Sequence, residues 1–425
     1  MDFFISANKI YTMAMKEFYI VDGYRTPFTK FNTDLGDEPV HLLGVSPSTH
    51  LFLKTGVDPN EVDEVIFGCC NQPGNTLGNV SRLIGLRSGV PEEVPAVTVH
   101  RNCASGFEAI TYAYDKAQAG KGDVFLVGGV ESMTQAPFLF KKEAVQKFTK
   151  LARSKSLLSK VSNACSFRPS DFSPEVSLKL ALIDSSCDMS MGATAELLAR
   201  EHNITREQQD EYAEASHVKA SNAQARLDEE IAPYYSTNDN CIRSHSGKII
   251  TTDNGIRSDI SVSKLGKLRT IFDRNGAITA GNASQVTDGG AALLLMTEEG
   301  LRKTGCTPLA KIADYAYVGC DPKRMGLGPV KAIEKLAIDP WNADLIEINE
   351  AFAAQAIACQ DLLNIPSEKV NVNGGAIALG HPLAATGARL AITATKELHR
   401  RGGKQAIVSL CVGGGQGGAI WITKC

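Results

Sequence analysis

The feature that most restricts the fold of this sequence is an approximate internal repeat of strand, loop, helix and second strand. In the first half, VTVHRNCASG leads into a helical pattern and then KGDVFLVGGVES. In the second half, VNVNGGAIALGHPLAATG leads into a helical pattern and then GGKQAIVSLCVGGGQGG. Two α/β units whose reactive loops face a shared centre would form one composite site. Similarity between βαβ units is common among α/β proteins, so the alternative that the two units share no site remains.

Short runs rich in β-branched residues alternate with longer helical patterns along the chain. The predicted strands are KEFYIVDGYRTPF, EVDEVIFG, PAVTVH, GDVFLVGG, DLIEINE, KVNVNGG and KQAIVSLCVGG. The predicted helices are SGFEAITYAYDKAQAG, TAELLAREH, TREQQDEYAEASHVKASNAQARL and TGARLAITATKELHRRG. Strands that alternate with helices are typical of α/β layers with largely parallel strand pairing.

Composition indicates a globular enzyme with no charge-driven nucleic-acid partner. The chain has 425 residues, 43% of them hydrophobic and 21% charged, and a formal net charge of −3. Its eleven cysteines lack a repeated C-x-x-C spacing, so neither a zinc ribbon nor a disulfide framework is expected, and a reducing compartment is. The adjacent Cys69 and Cys70 are predicted to fill the end of a strand, with redox sensitivity as the alternative.

The first residues and the longest apolar runs do not resemble targeting or membrane-spanning segments. No apolar run approaches the length of about 20 residues that a membrane span needs. Residues 1–15 lack a basic n-region and an A-x-A site, so they are expected to be an N-terminal extension rather than a secretory signal.

The regular alternation breaks between about residues 132 and 280. LFKKEAVQKFTKLARSKSLLSK there carries seven basic residues and one acidic residue, with apolar residues interleaved. It could be a basic amphipathic helix that meets an anionic membrane or a partner subunit, or a solvated helix face. Further on, Arg243, His245 and Lys248 in a polar stretch could meet phosphates.

Four sites carry the side chains that could do chemistry. Cys103 follows a strand pattern and precedes a helix, where N–H groups and the helix dipole favour a thiolate, although it could be a small core residue. His381 precedes a helix among glycines, where a structural histidine is the alternative. Cys411 enters CVGGGQGG, which lies too near the end of the sequence for a dinucleotide-binding unit. Asn349 and Glu350 end the strand DLIEI or cap a helix.

Together these sites resemble the thiolase family of acetyl-CoA acetyltransferases and 3-ketoacyl-CoA thiolases. The motifs that carry the resemblance, in order over residues 16–425, are NCASG at 102–106, MGATAELLA at 191–199, GNASQVTDGG at 281–290, NEAFAAQ at 349–355, NVNGGAIALGHP at 371–382 and CVGGGQGG at 411–418. The resemblance implies an α/β thiolase fold with five layers, α/β/α/β/α, built from two similar halves. The halves would be residues 16–298 and 305–425, with a loop domain at about 132–280 inserted in the first.

The resemblance also implies a role for each catalytic position. Cys103 matches the nucleophile that takes the acyl group, and His381 matches the histidine that activates this thiol and helps hold the thioester oxygen. Cys411 matches the cysteine that moves a proton at the substrate α-carbon or on the leaving group. Asn349 matches the residue that holds a water in one oxyanion hole. The backbone N–H groups of Cys103 and Gly413 would form the second hole.

Two further positions and three departures from the family pattern complete the expected site. Ser284 and Met191 match residues that line the pantetheine channel. Ala384 stands where a glycine is usual, Thr386 where a serine is usual, and DGG at 288–290 where DGA is common. These replacements keep small residues and remove no catalytic group.

The implied reaction is CoA-dependent thiolysis of 3-ketoacyl-CoA through an acyl-cysteine, with CoA as co-substrate and without a metal or other cofactor. The segment at 140–160 and its continuation resemble the β-subunit of fatty-acid-oxidation trifunctional complexes. This similarity implies a degradative enzyme, a hydratase/dehydrogenase α-subunit, peripheral membrane contact through 140–160, and a homodimer or tetramer. Its location would be cytoplasmic, or mitochondrial in a eukaryote.

Other functions remain as alternatives. A short-chain acetyl-CoA acetyltransferase that makes acetoacetyl-CoA would use the same residues in the opposite direction. A decarboxylating ketoacyl synthase would be expected to use Cys-His-His or Cys-His-Asn, and NEAF with a second cysteine argues against it. A non-catalytic acyl-CoA-binding or scaffold protein would be expected to lack Cys103, His381 or Cys411, all of which are present.

Overall fold

The fold is described from a computed structural model that covers residues 15–73, 78–236 and 248–425. The expected N-terminal extension, apart from Met15, lies outside the described residues, as do Arg243 and His245. Lys248 is described, and its ammonium group contacts the Asp34 carboxylate. None of the helices in the described ranges is both long and apolar enough to span a membrane.

The elements of the described chain are numbered in chain order. The strands are β1 Phe18–Arg25, β2 Thr29–Lys30, β3 Glu64–Gly68, β4 Ala96–Val99, β5 Val124–Ser132, β6 Phe138–Leu139, β7 Glu175–Val176, β8 Ile183–Asp184, β9 Met189–Ser190, β10 Tyr234–Tyr235, β11 Ile249–Ile250, β12 Thr287–Thr297, β13 Ala310–Gly319, β14 Leu345–Ile348, β15 Gln405–Val412 and β16 Gln416–Lys424. The α-helices are α1 Val40–Thr55, α2 Val80–Arg87, α3 Ser105–Gln118, α4 Lys142–Ala152, α5 Leu157–Ala164, α6 Ser177–Ala181, α7 Met191–Glu201, α8 Arg206–Asn222, α9 Gln224–Asp228, α10 Val262–Leu265, α11 Glu298–Thr304, α12 Gly328–Glu334, α13 Ala353–Leu363, α14 Ala376–Leu379 and α15 Leu383–Arg401. Short 3₁₀ turns cover Pro59–Glu61, Pro169–Phe172, Pro322–Leu327, Pro340–Asn342 and Ser367–Lys369.

The main sheet is mixed rather than largely parallel. Its strand order is β14-β15-β16-β13-β1-β12-β5-β3-β4, with β2 paired to β12. Only the β14–β15, β5–β3 and β3–β4 pairs are parallel among these described strands. The predicted parallel pairing is therefore wrong for most of the sheet. Strands such as β15 and β16 are joined by a three-residue turn, and a turn of that length allows only antiparallel pairing.

Three hydrophobic cores divide the molecule into the five expected layers. The inner core takes side chains from α3, α15 and the facing sides of both halves of the sheet. A second core lies under α1 and α2 on the outer face of the first half. A third lies under α12 and α13 on the outer face of the second half. These cores give the α/β/α/β/α layers predicted from the sequence, with α3 and α15 as the central layer.

One predicted strand of the repeat does not form. The segment KVNVNGG contributes only an isolated bridge between Val370 and Ile346. Asn371 has a left-handed backbone with φ of 46°. Its side-chain amide accepts from the Ile348 N–H at 2.9 Å and donates to the Ile348 carbonyl at 2.8 Å. A side chain thus takes the hydrogen bonds that a neighbouring strand would supply.

The irregular middle of the chain is an excursion between two neighbouring strands. Residues 133–286 connect β5 to β12, which pair along their whole length. The basic segment within it forms the two helices α4 and α5 rather than one. Four phenylalanine rings of this region contact one another, namely Phe140, Phe148, Phe167 and Phe172. Phe140, Phe148 and Phe172 are nevertheless exposed.

Candidate active site

Cys103 lies in the elbow between β4 and α3, as the sequence predicts. The preceding Asn102 has a left-handed backbone with φ of 44°, which turns the chain from strand to helix. The Ser105 hydroxyl donates to the Asn102 carbonyl at 2.7 Å and accepts from the Arg101 N–H at 2.9 Å. These short-range bonds hold the cysteine at the start of the helix, half-buried beside a cavity.

The loop after β15 meets this elbow. The Asn102 amide donates to the Gly413 carbonyl at 2.7 Å, and the Gly414 N–H donates to the Asp184 carboxylate at 3.0 Å. Hydrogen bonding from the backbone N–H groups of Gly413 and Cys103 favours the Cys103 thiolate by lowering its pKa, which places both groups near the sulfur. Two N–H groups that converge on one sulfur would also converge on the oxygen of a thioester formed there.

The resting Cys103 is a thiol rather than the thiolate that the helix position suggested. Burial raises the pKa of Cys103 to about 11, although the hydrogen bonds from the Gly413 and Cys103 N–H groups oppose this, and the Glu131 carboxylate adds to it. The N–H groups act as predicted, but desolvation outweighs them. Deprotonation of the nucleophile therefore needs a base at the moment of attack.

His381 is the residue from which the family resemblance expects this base, and its tautomer is set by Thr386. The Thr386 hydroxyl donates to the Pro382 carbonyl at 2.9 Å, so its oxygen accepts from His381 Nδ1 at 2.6 Å. Nε2 then carries the lone pair, and it accepts from the Asn349 amide at 3.4 Å. Burial lowers the pKa of His381 to about 3, with a further contribution from Arg389. The imidazole is therefore neutral, with its lone pair on Nε2.

Asn349 and Glu350 follow β14 directly, as predicted, and the helix-cap alternative is wrong because α13 begins after Phe352. The Asn349 side chain is fully buried, and its Oδ1 has no hydrogen-bond partner among the described residues. The Glu350 carboxylate accepts from the Ser216 hydroxyl at 2.7 Å and from the Ile377 N–H at 3.1 Å. Asn349 thus lies beside His381 with Oδ1 free to accept a hydrogen bond. Glu350 holds the segment before His381 through its hydrogen bond from the Ile377 N–H.

Cys411 ends β15 on the other side of the site. It is buried against a cluster that contains Met191, Ala195 and Phe352. Burial raises the pKa of Cys411 well above its usual value, and the neighbouring Cys103 contributes to the rise. A neutral thiol in this position can donate a proton to a developing carbanion.

Two adjoining cavities lead to these groups. One, of about 260 Å³, is lined by Cys70, Cys103 and Gly413. The other, of about 460 Å³, is lined by His381, Ser284, several apolar side chains and the basic residues Lys30 and Arg257. Met191 lines both cavities. Five of the seven residues expected from the sequence therefore line these two cavities. The other two lie behind them, with the Asn349 amide against His381 and Cys411 packed in a cluster with Met191.

The sequence analysis missed residues that hold this site together. Glu131 is a fully buried carboxylate that accepts three backbone hydrogen bonds beside Cys103. An acidic residue inside the apolar run VFLVGGVES is the signal that could have identified it. Thr386 was noted only as a departure from serine. Cys69 and Cys70 lie beyond the end of β3, so the strand-filler prediction is wrong, and Cys70 lines the cavity of Cys103.

Comparisons with known proteins identify relatives over nearly the whole chain. The thiolase N-terminal domain family matches residues 18–299, and the thiolase C-terminal domain family matches residues 306–424. A probable acetyl-CoA acyltransferase of Staphylococcus epidermidis is 38% identical over 96% of this chain and 99% of the relative. One of Staphylococcus aureus is 37% identical over 96% of this chain and all of its own length.

Two solved structures are similar along their lengths. Human mitochondrial 3-ketoacyl-CoA thiolase has a TM-score of 0.87 and 35% identity, over 96% of this chain and 99% of that one. The acetyl-CoA acetyltransferase of Bacillus anthracis has a TM-score of 0.86 and 36% identity, over 97% and 99% of the two chains.

Proposed function

Because this chain belongs to the thiolase family and is an acyltransferase, we propose that it cleaves 3-ketoacyl-CoA with CoA to give acetyl-CoA and a shortened acyl-CoA. The observation that carries the proposal is the placement of Cys103 and His381 on two adjoining cavities, with Cys411 packed in a cluster with Met191, which lines both. Hydrogen bonding from the Gly413 and Cys103 N–H groups also favours the Cys103 thiolate. A soft nucleophile, a neutral base and a protonated acid are the groups that this cleavage needs.

In the first half-reaction, His381 Nε2 takes the thiol proton as the Cys103 sulfur attacks the 3-keto carbon of the substrate. The bond between C2 and C3 breaks, and its electron pair becomes the enolate of acetyl-CoA. Cys411 gives its proton to C2, which completes acetyl-CoA and leaves the acyl group on Cys103. The N–H groups of Gly413 and Cys103 stabilise the oxygen of the acyl intermediate, and removal of one such donor costs about 100- to 1,000-fold in other enzymes.

In the second half-reaction, the Cys411 thiolate takes the proton of a CoA thiol. The CoA sulfur attacks the acyl carbon, the bond to Cys103 breaks, and Cys103 recovers its proton from His381. Both thiols and the imidazole end as they began. The chemistry balances with CoA as the co-substrate.

The larger cavity supports an acyl-CoA substrate. Its walls are mostly apolar, with Phe31, Ile271, Phe272 and Phe352 among them, so it suits an apolar acyl chain or pantetheine arm. Synthesis of acetoacetyl-CoA from two acetyl-CoA is the second candidate, because the same residues operate in reverse and one similar structure is an acetyl-CoA acetyltransferase.

The surface of α4 and α5 supports peripheral contact with an anionic membrane. Leu157 and Leu158 are 79% and 86% exposed, and Val161 is 56% exposed. Seven basic residues lie in the same segment, 139–160. Apolar side chains flanked by cations are typical of helices that lie in a lipid interface. We expect the protein to bind vesicles of anionic lipid but not vesicles of neutral lipid, and Leu157→Ser to bind the anionic vesicles less. If the protein binds neither kind of vesicle, the result would favour a protein partner.

Assembly and location are also proposals. A homodimer or tetramer and a hydratase/dehydrogenase subunit follow from the family resemblance, and sedimentation of the chain alone and with such a subunit would test them. The ten cysteines within the described ranges are all free thiols. Free thiols support a reducing compartment, either the cytoplasm or the mitochondrial matrix of a eukaryote.

The test of the reaction is CoA-dependent cleavage of 3-ketoacyl-CoA substrates from C4 to C16. Cys103→Ala and Cys411→Ala should each abolish cleavage, whereas Cys306→Ala, at a cysteine that packs under the outer face of the first half, should not. Cleavage that rises with chain length would support the degradative enzyme. Activity on C4 alone would favour the acetoacetyl-CoA enzyme, and no cleavage at any length would refute the proposal.

A further inference from the structure

A buried carboxylate beside the site has no part in the steps above. Glu131 lies on β5 and is fully buried. Its oxygens accept from the backbone N–H groups of Cys70 at 3.2 Å, Asn71 at 2.8 Å and Ala384 at 3.1 Å. None of these donors is charged. Since an ionisable group is costly to bury without a cation, its presence here calls for a reason.

The hydrogen bond from Ala384 links Glu131 to the helix turn that holds His381. The first turn of α15 has Pro382 at its N-cap and no side-chain cap of its own. Ala384 carries one of the N–H groups that a helix start leaves without an internal partner, and Glu131 accepts its hydrogen bond. Two residues further on, Thr386 holds Nδ1 of His381. The carboxylate therefore fixes the turn that orients the base.

The hydrogen bonds from Cys70 and Asn71 link Glu131 to the loop that contacts the Cys103 elbow. Glu131 holds the loop of Cys70 and Asn71, and the Cys70 thiol donates to the Asn102 carbonyl at 3.0 Å. Asn102 in turn donates to the Gly413 carbonyl and directly precedes Cys103. The same carboxylate therefore supports the elbow of the nucleophile and the loop that supplies its second N–H group.

We propose that Glu131 is a positioning residue whose carboxylate joins the Cys103 elbow to the first turn of α15, so that nucleophile and base meet in a fixed arrangement. The role rests on the proposed thiolase reaction but needs no contact with substrate. Glu131 comes from the first half of the chain and Ala384 from the second. A single side chain thus fixes the position of the two halves of the repeat relative to each other at the catalytic centre.

The charge of Glu131 also reaches the nucleophile. Burial raises the pKa of Glu131 to about 7, against its hydrogen bonds from the backbone of Asn71, Ala384 and Cys70. Its anion raises the pKa of Cys103 in addition to burial. The titratable groups whose charges interact with it are the thiols of Cys69, Cys70 and Cys103. Removal of this charge should lower the pH at which Cys103 becomes reactive.

The test is Glu131→Gln, which keeps the size of the side chain but places an amide N–H₂ where an N–H acceptor is needed. Misplacement of reacting groups by about 1 Å costs on the order of 100-fold in rate, so kcat should fall by about that factor while the KM for CoA stays near wild type. The pH midpoint for alkylation of Cys103 by iodoacetamide, followed by peptide mass, should shift down.

The matched control is Glu64→Gln, a buried carboxylate on β3 that pairs with Lys116 away from the site. It should leave kcat and the alkylation midpoint unchanged. A folded Glu131→Gln with wild-type kcat and midpoint would overturn the proposal.

If Glu131→Gln does not fold, Cys70→Ala serves instead, because it removes only the thiol contact with Asn102. We expect a smaller fall in kcat, and unchanged values would overturn the proposal. Alkylation needs no thiolase turnover. An inactive wild type would therefore refute the proposed reaction, while the alkylation midpoint would still test Glu131.

Discussion

Replacement of Thr386 with valine should slow the formation of the acyl-enzyme without unfolding the protein. Valine has nearly the shape of threonine but lacks the oxygen that lies 2.6 Å from His381 Nδ1. When Nε2 accepts the proton of Cys103, the imidazole becomes a buried cation whose Nδ1–H has lost its acceptor. A hydrogen bond to a charged group is worth about 1.5–3 kcal/mol. That range corresponds to a fall of about 10- to 160-fold in the rate of acylation.

The measurement is a single-turnover reaction in which acyl-Cys103 is counted by mass after rapid quenching. Thr395→Val is the control, because Thr395 is buried on the same helix and its hydroxyl has no hydrogen-bond partner in the described part of the chain. It should acylate at the wild-type rate. Thr386→Ser, which restores the hydroxyl, should recover most of the lost rate. If Thr386→Val acylates as fast as Thr395→Val, the hydroxyl does not orient the base.

Three further predictions concern the acid, the packing and the pH response. Cys411→Ala should still accept an acyl group on Cys103 from an acyl-CoA but lose exchange of the α-proton of acetyl-CoA in D₂O, and proton exchange at the wild-type rate would contradict its role. Gly129→Ala should lower the urea midpoint, because a Cβ there would lie 1.9 Å from the Ala384 carbonyl oxygen and overpacking costs about 1–3 kcal/mol or more, whereas Gly319→Ala, in open space, should not. Burial lowers the pKa of His381 to about 3 from 6.5, so its neutral form stabilises the fold above about pH 6.5, and this stability is lost as the pH falls towards 3. The urea midpoint of His381→Asn should therefore fall less between pH 7.5 and pH 5 than the midpoint of the wild type. Equal falls in the two midpoints would contradict this.

The sequence predicted most of the site because its residues lie at the ends of regular elements. Cys103, His381 and Cys411 each lie at or next to the end of a strand or helix that the hydrophobic pattern identifies. The structure places Cys103 and His381 on adjoining cavities and packs Cys411 in a cluster with Met191, which lines both. Local pattern placed these side chains at the ends of elements, and the repeat indicated that both loops face a common centre. The role of each residue was predicted only through the resemblance to the thiolase family.

The rest depends on contacts between distant parts of the chain. The strand predicted at KVNVNGG fails because the Asn371 side chain replaces strand pairing, which the β-branched pattern does not reveal. Likewise, the raised pKa of Cys103 depends on burial by other segments, whereas sequence shows only the favourable helix start. The partners of Glu131 come from residues 61 and 253 positions away in the chain.

The place of α15 in the fold has a consequence for synthesis of the protein. This helix forms the central layer with α3, yet it comes from residues 383–401, after nearly all of the chain that it covers. While a ribosome makes the chain, α3 can cover only part of the apolar inner face of the first half, and the part that packs against α15 stays uncovered until those last residues emerge. Nascent chains that stop before α15 should therefore bind chaperones or aggregate, and release of the full-length chain should end that vulnerable period.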